Sequence, residues 1–372
     1  MLRLAWQFLR YDRAKSLGAL LGAVVSVFLI GQQVGIATYL TEAMVSPVRI
    51  APADLWVVDA RSDDVNALGV LDGRVLRQVG STPGVSHAAP LVLAGTSARF
   101  ANGTIAPVTL LGARAPHFRG IPPLESGDTL ELLRDGALGF DLYDGPRYGG
   151  AGLGATLEIN GRRGFLAVRS AGLRTFSQPI LFAPIERARR LGGLPPHVLH
   201  AVLVDAAPGE NLEALAARVQ ARVPGVRAWR PEALARATQR RILATTGIAA
   251  SIGTLVVFAI LVGFVIIGLT LYSAVVDRLR DFGTMKAIGA RDGDVTRVVL
   301  LQAALVALAG AGLGIALVLG FRQGVRQSGV LFTFAPPVWG TLVVGTLVIA
   351  AAGALFAIRR LRALEPAAVF RN

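Results

Sequence analysis

Cysteine is absent from all 372 residues, which excludes disulfides and thiolate metal sites. Lysine is scarce as well: only Lys15 and Lys286 stand among 38 basic residues, the rest being arginine. A P-loop needs lysine inside G-x-x-x-x-G-K-[ST], and neither lysine sits in such a run. Enzymatic ATP hydrolysis through a Walker motif is therefore not expected of this chain. No G-x-S-x-G nucleophile elbow occurs either. Charge is thin, at 17% of residues against 53% apolar, and the mean hydropathy of +0.55 is too high for an ordinary soluble protein. The formal net charge of +14 comes with enrichment in Arg, Ala and Gly, a pattern of GC-rich coding sequence, and nucleic acid is not an expected partner.

What the chain does have is long uncharged runs. Four exceed the length that crosses about 30 Å of hydrocarbon at about 1.5 Å per helical residue. They are Ser16 to Thr41, Ile242 to Val276, Val298 to Phe321, and Gln327 to Ile358. In the last, a short outer loop over 322–330 precedes the span proper, 331–358. The expected fold class is an α-helical membrane protein with four transmembrane helices. The first run also has a basic, apolar character like a secretory signal, but a long leader precedes it and no small-x-small cleavage site follows. That leader, residues 1–15, puts Leu2, Ala5, Trp6 and Leu9 on one helical face and Arg3, Gln7 and Arg10 on the other. It reads as an interfacial helix on membrane lipids, with Trp6 at headgroup level.

Basic residues orient the spans. Arg3, Arg10, Arg13 and Lys15 precede the first, against Arg49 after it; Arg359, Arg360, Arg362 and Arg371 follow the fourth, against Arg322 and Arg326 before it. Both termini are expected in the cytoplasm. The second run, with 35 uncharged residues or about 52 Å of helix, outlasts the hydrocarbon. With Pro231 at a first helical turn, residues 231–276 are expected to form a stalk that enters the membrane without a break.

Residues 42–240, of ordinary soluble composition, are expected to form an extracytoplasmic α+β domain. LDGRVLRQVGSTPGVSHAAP from Leu71 and LEALAARVQARVPGVRAWRP from Leu212 share a helix, Pro-Gly-Val, and a strand ending in proline. They predict two βαβ units, about 53–100 and 199–231, flanking a β-rich insert of about 102–197. Within the insert Asn160-Gly161 between two strand-like runs predicts a type I′ hairpin. His197-x-x-His200 lies in a strand entry without a nearby acidic partner, and Gly152 and Gly154 lead into a strand; neither is expected to hold a metal or phosphate. Inside the first span Gln32 and Gln33 lie within Gly31-x-x-x-Gly35. They are candidates for a substrate or dimer contact, or for plain interhelical hydrogen bonding. Gly18-x-x-x-Gly22 and Gly310-x-x-x-Gly314 predict close helix packing.

The cytoplasmic loop, 277–297, places Leu279, Phe282, Met285 and Ile288 in one stripe with Arg280 and Lys286 off it. Such a helix lies on lipid or docks into a groove on a cytoplasmic partner, and the pattern leaves both open.

The run RDFGTMKAIGA resembles the coupling-helix signature of the FtsX/MacB-like ABC permeases, the mechanotransmission type. The matching positions are Arg280, Asp281, Phe282, Gly283, Met285, Lys286, Ala287, Ile288 and Gly289, with Asp281 in place of the usual Glu. Phe282 and the Gly-Thr-hydrophobic-Lys run look most like the DevC branch. AWQFLRYDRAKS near the start, ADLWVVDA after the first span, Pro83-Gly-Val and EPAAVF from Glu365 add to the resemblance, which covers the whole chain in order. The resemblance implies a homodimer in the bacterial inner membrane whose coupling helices sit on a separate ABC ATPase dimer. ATP and Mg would be bound there, with no cofactor on this chain. It also implies a periplasmic membrane-fusion protein and an outer-membrane duct, with export of a lipid, glycolipid or other envelope substrate. The alternative is a non-transporting signalling subunit like FtsX that activates a periplasmic partner. A membrane-tethered enzyme is a third reading, without a catalytic constellation to support it.

Overall fold

The structure is a computed structural model that describes residues 2–11, 13–173, 178–277, 284, 288, 290–326, 332 and 334–362. The chain divides into two compact units. One contains residues up to Thr38, 248–326 and Phe332 onward; the other contains 39–247.

The first unit is helical. α1 (Leu2–Tyr11) and α2 (Arg13–Met44) open the chain. Among the described residues four helices are long and apolar enough to cross a membrane: α2, α8 (Ile248–Asp277), α9 (Asp292–Arg326) and α10 (Pro336–Arg362). Gly-x-x-x-Gly spacing decides how they meet, because residues four apart share a helix face. On α2, Gly18 and Gly22 face Thr270 and Ile266 of α8. On α9, Gly314 faces Val27 of α2, where a Cβ would stand 2.7 Å from the valine, and Gly310 faces Ala23. Gly353 of α10 lies against the backbone of Gly268 on α8. Gly310, Gly314 and Gly353 let a neighbouring helix approach to backbone distance, while Gly18 and Gly22 make room for side chains. α10, the span expected over 331–358, starts at Pro336, a residue suited to a first helical turn because its missing N–H is not needed there. α1 packs on α9, with Ala5 fully buried and Trp6 exposed.

The second unit is α+β and starts from an alternation. In β1 (Leu55–Asp59), Leu55 and Val57 enter one core and Trp56 and Val58 another, since successive strand residues point to opposite faces. β11 (Ala201–Ala206) and β3 (Val85–Phe100) divide in the same way. α4 (Arg74–Gly80) and α6 (Leu212–Arg222) cover one face, and Leu234 of α7 (Pro231–Thr245) and Val48 of α3 (Ser46–Ile50) lie in the core on the other. With β12 (Val226–Trp229) the strand order is β12-β1-β11-β3, every neighbour antiparallel. β1-α4-β3 and β11-α6-β12 each skip one strand. They are the two expected βαβ units, interleaved in a ferredoxin-like arrangement. Both Pro-Gly-Val turns are used alike: Gly84 and Gly225 take φ of +94° and +80° between helix and strand.

The insert hangs on β3, which is 16 residues long. β4 (Ile105–Ala113), β9 (Ile180–Pro184), β6 (Ala137–Asp141) and β8 (Arg162–Ser170) follow it in order, and β7 (Thr156–Ile159) pairs with both β8 and β3. Six strands thus close into a ring without a free edge. Asn160 and Gly161, at φ +50° and +73°, make the expected hairpin between β7 and β8.

The unbroken stalk does not form. α7 ends at Thr245 and α8 starts at Ile248, with Gly247 at φ +68° between them. Thr245 Oγ1 and Thr246 Oγ1 donate to the carbonyls of Arg241 and Ile242, at 2.9 and 2.7 Å, and the Thr246 N–H closes the last turn on Ile242. A glycine in the left-handed region then stops the helix.

Candidate functional site

Of the expected coupling residues, Arg280, Asp281, Phe282, Gly283, Met285, Lys286 and Gly289 lie outside the described residues. Ile288 is described, and its side chain is 83% exposed. At the entry to this segment, Lys15 of α2 forms an ion pair with Asp277, the last residue of α8. The pair places the start of the first span and the end of the second at the same end of the helical unit. One of the chain's two lysines is thus spent on fixing the root of the loop.

Gln32 and Gln33 are both half-buried on α2. Their flanking glycines face protein: a Cβ on Gly31 would stand 2.7 Å from Val318, and one on Gly35 3.0 Å from Phe332 and Phe334. Phe321, Phe332, Phe334 and Trp339 continue from there as a chain of ring contacts at 4.7 to 6.3 Å. The glutamines therefore border an aromatic packing seam.

The second unit holds a cavity of about 560 Å³. Arg49, Arg119 and Arg236 line it together with Asp54, Asp205 and Glu232. Arg119 pairs with Asp205, Arg49 reaches Glu42 at 3.4 Å, and Asp54 Oδ2 accepts the Ala206 N–H at 2.8 Å. These residues come from α3, the connection before β1, β11, α7 and the connection after β4, so no local motif announces them. The only sequence signal was the presence of charges beside otherwise apolar strands.

Buried polar groups elsewhere in the domain are structural. Asp141 accepts from Tyr143 N–H, Ser170 Oγ and Leu173 N–H at 3.0, 2.9 and 3.0 Å, while burial raises its pKa. His200, one of the two spaced histidines, is buried, and its Nδ1 accepts the Leu93 N–H at 3.3 Å. Burial, then the Arg189 charge, lowers its pKa, so it is held neutral. His197 is exposed, and its carbonyl accepts the Gly73 N–H at 2.7 Å. Among the described residues no three His, Cys, Asp or Glu side chains come together as a metal ligand set. Gly152 and Gly154 lie in the loop before β7, as expected.

Residues 253–366 match the family of the FtsX-like permease C-terminal domain. No curated protein matches the chain. Among solved structures it is similar to the periplasmic region of MacB from Actinobacillus actinomycetemcomitans, with 9% identity over 53% of this chain and 94% of that one and a TM-score of 0.38. It is similar also to the extracellular domain of the noncanonic ABC-type transporter YknZ from Gram-positive bacteria, with 10% identity, 48% and 98% coverage and a TM-score of 0.35. A domain of a permease protein from Porphyromonas gingivalis aligns at 19% identity, 49% and 88% coverage and a TM-score of 0.33. The fold assignment rests on the strand order and not on these likenesses. The matched stretch starts within α8, takes in the 277–297 segment and both later spans, and ends in the tail. Residues 253–366 thus carry an FtsX-like permease C-terminal domain, in a chain with four described helices long and apolar enough to cross a membrane and an α+β domain inserted between the first and second.

Proposed function

We propose that this permease is the membrane subunit of an ABC system in which a separate cytoplasmic ATPase dimer drives movement of the inserted domain, and that the system exports a lipid, glycolipid or other envelope substrate. The observation that carries the reading is the family match over 253–366, because it includes the loop whose apolar stripe, Phe282, Met285 and Ile288, suits a groove on a partner. In this reading two copies of the chain stand side by side in the bacterial inner membrane with both termini in the cytoplasm. The loop docks on the ATPase, which binds the ATP and Mg. The inserted domain lies in the periplasm, where it works with a membrane-fusion protein and an outer-membrane duct. Arg280 and Lys286 flank the stripe as candidates for charged contacts at its rim, which tune encounter more than affinity.

The test is a complex of the full chain with its ATPase, comparing the native loop with Phe282→Glu and Met285→Glu. Burying a carboxylate in an apolar groove is expected to lower co-purification and permease-dependent ATPase activity by at least about tenfold. Undiminished co-purification, ATPase activity and transport in both variants would remove the loop from the docking role.

A further inference from the structure

The chain has four histidines, and two of them meet on the surface of the inserted domain. His87 stands on β3, and His117 stands on the turn after β4; their ring centroids are 6.5 Å apart and their planes nearly perpendicular, at 88°. Both side chains are exposed, and neither ring has a hydrogen-bond partner among the described residues. The turn that presents His117 is held firmly. Its neighbour Phe118 is buried in the core at φ +44°, a left-handed conformation that a bulky side chain adopts only when packing enforces it. The Phe118 N–H donates to Arg114 O at 2.9 Å and the Ile121 N–H to Phe118 O at 3.1 Å. His87 is fixed by pairing across the sheet, where Asp205 of β11 is its register partner. The Asp205 carboxylate is taken by Arg119.

Two backbones hold two free imidazoles within reach of one another. A cation bound at about 2.0–2.1 Å by one nitrogen of each ring, at a tetrahedral angle, needs centroids roughly 5 Å apart. The observed 6.5 Å leaves about 1.5 Å to close, and the proposed site requires the two exposed side chains to close it by rotation. Imidazole pairs suit Cu²⁺, Ni²⁺ and Zn²⁺, with copper the strongest in the divalent series. We propose that His87 and His117 form a two-imidazole site for a late first-row divalent cation, with water in the remaining positions. The bound ion would tie the 114–121 turn to β3. The inference does not depend on the permease reading.

The test uses the tag-free full chain in detergent, titrated with Cu²⁺ alone and followed by electron paramagnetic resonance and calorimetry. One equivalent with coupling to two imidazole nitrogens is expected. His87→Ala and His117→Ala should each weaken that equivalent by at least about tenfold and reduce the nitrogen coupling, whereas His197→Ala should not. The three substitutions lie at exposed positions, and unchanged circular dichroism would show that each variant folds. Zn²⁺ should raise the melting temperature of the native chain and of His197→Ala, and not that of His87→Ala or His117→Ala. Absence of imidazole-coupled copper in the native chain, or affinity and spectrum unchanged in both His87→Ala and His117→Ala, would overturn the proposal.

Discussion

At the residue scale, the sharpest constraints come from groups with no room to change. Gly314 and Gly312 lie two positions apart on α9, yet a Cβ at Gly314 meets Val27 at 2.7 Å while one at Gly312 meets nothing within 4 Å. Gly314→Leu should therefore destabilise the helical unit by about 1–3 kcal/mol through overpacking, and Gly312→Leu should leave it unchanged. Thermal unfolding of the detergent-solubilised chain separates the two outcomes. His200 gives a pH dependence of defined sign. Its pKa is lowered in the fold, so a proton binds the unfolded chain more tightly. The stability it contributes is present above its ordinary value of 6.5 and is lost as pH falls toward the folded value. The melting temperature of the inserted domain should drop as pH falls below about 6.5, and His200→Gln should flatten that drop. The packing glycines were legible from spacing four, since a helix repeats its face at that interval. The Arg119–Asp205 pair was not, because 85 intervening residues separate its members and only the folded sheet brings them together.

At the element scale, strands were easier to read than helix ends. LWVV in β1 is apolar throughout because it supplies two cores at once, and both Pro-Gly-Val turns mark a helix-to-strand switch. The break between α7 and α8 stayed hidden because Thr246 and Gly247 carry no charge, and a rule that counts charges runs straight through them. The usable signal was chemical: two threonines that bond back to their own helix, then a glycine. The delayed start of α10 at Pro336 escaped the same rule for the same reason. Gly247→Ala should cost about 1–2 kcal/mol, because alanine resists φ of +68°. Amide hydrogen exchange around residues 243–250 would register the change, with faster exchange in the variant.

At the scale of the whole molecule, the shift from uncharged runs to ordinary soluble composition near Glu42 and again near Arg241 was enough to see an inserted domain. Its ring of strands was not visible, since closure depends on β7 pairing with β3, distant in sequence, as well as with its hairpin neighbour β8. Three apolar cores lie wholly inside 39–247 and borrow nothing from the spans. Residues 42–247 expressed alone should therefore fold in water, with cooperative thermal unfolding; a molten, non-cooperative product would contradict this.

The placement of β1 beside β12 has a mechanical consequence. The first strand of the domain lies beside the last, and Trp56 of β1 and Trp229 of β12 are direct partners in an antiparallel ladder. Hydrogen bonds in such a ladder run perpendicular to the strands. A load that drags the two tethers apart would act along those bonds and open them singly, like a zipper from its free end. A load that lifts or lowers both tethers together leaves the ladder unstressed and carries the domain as one body.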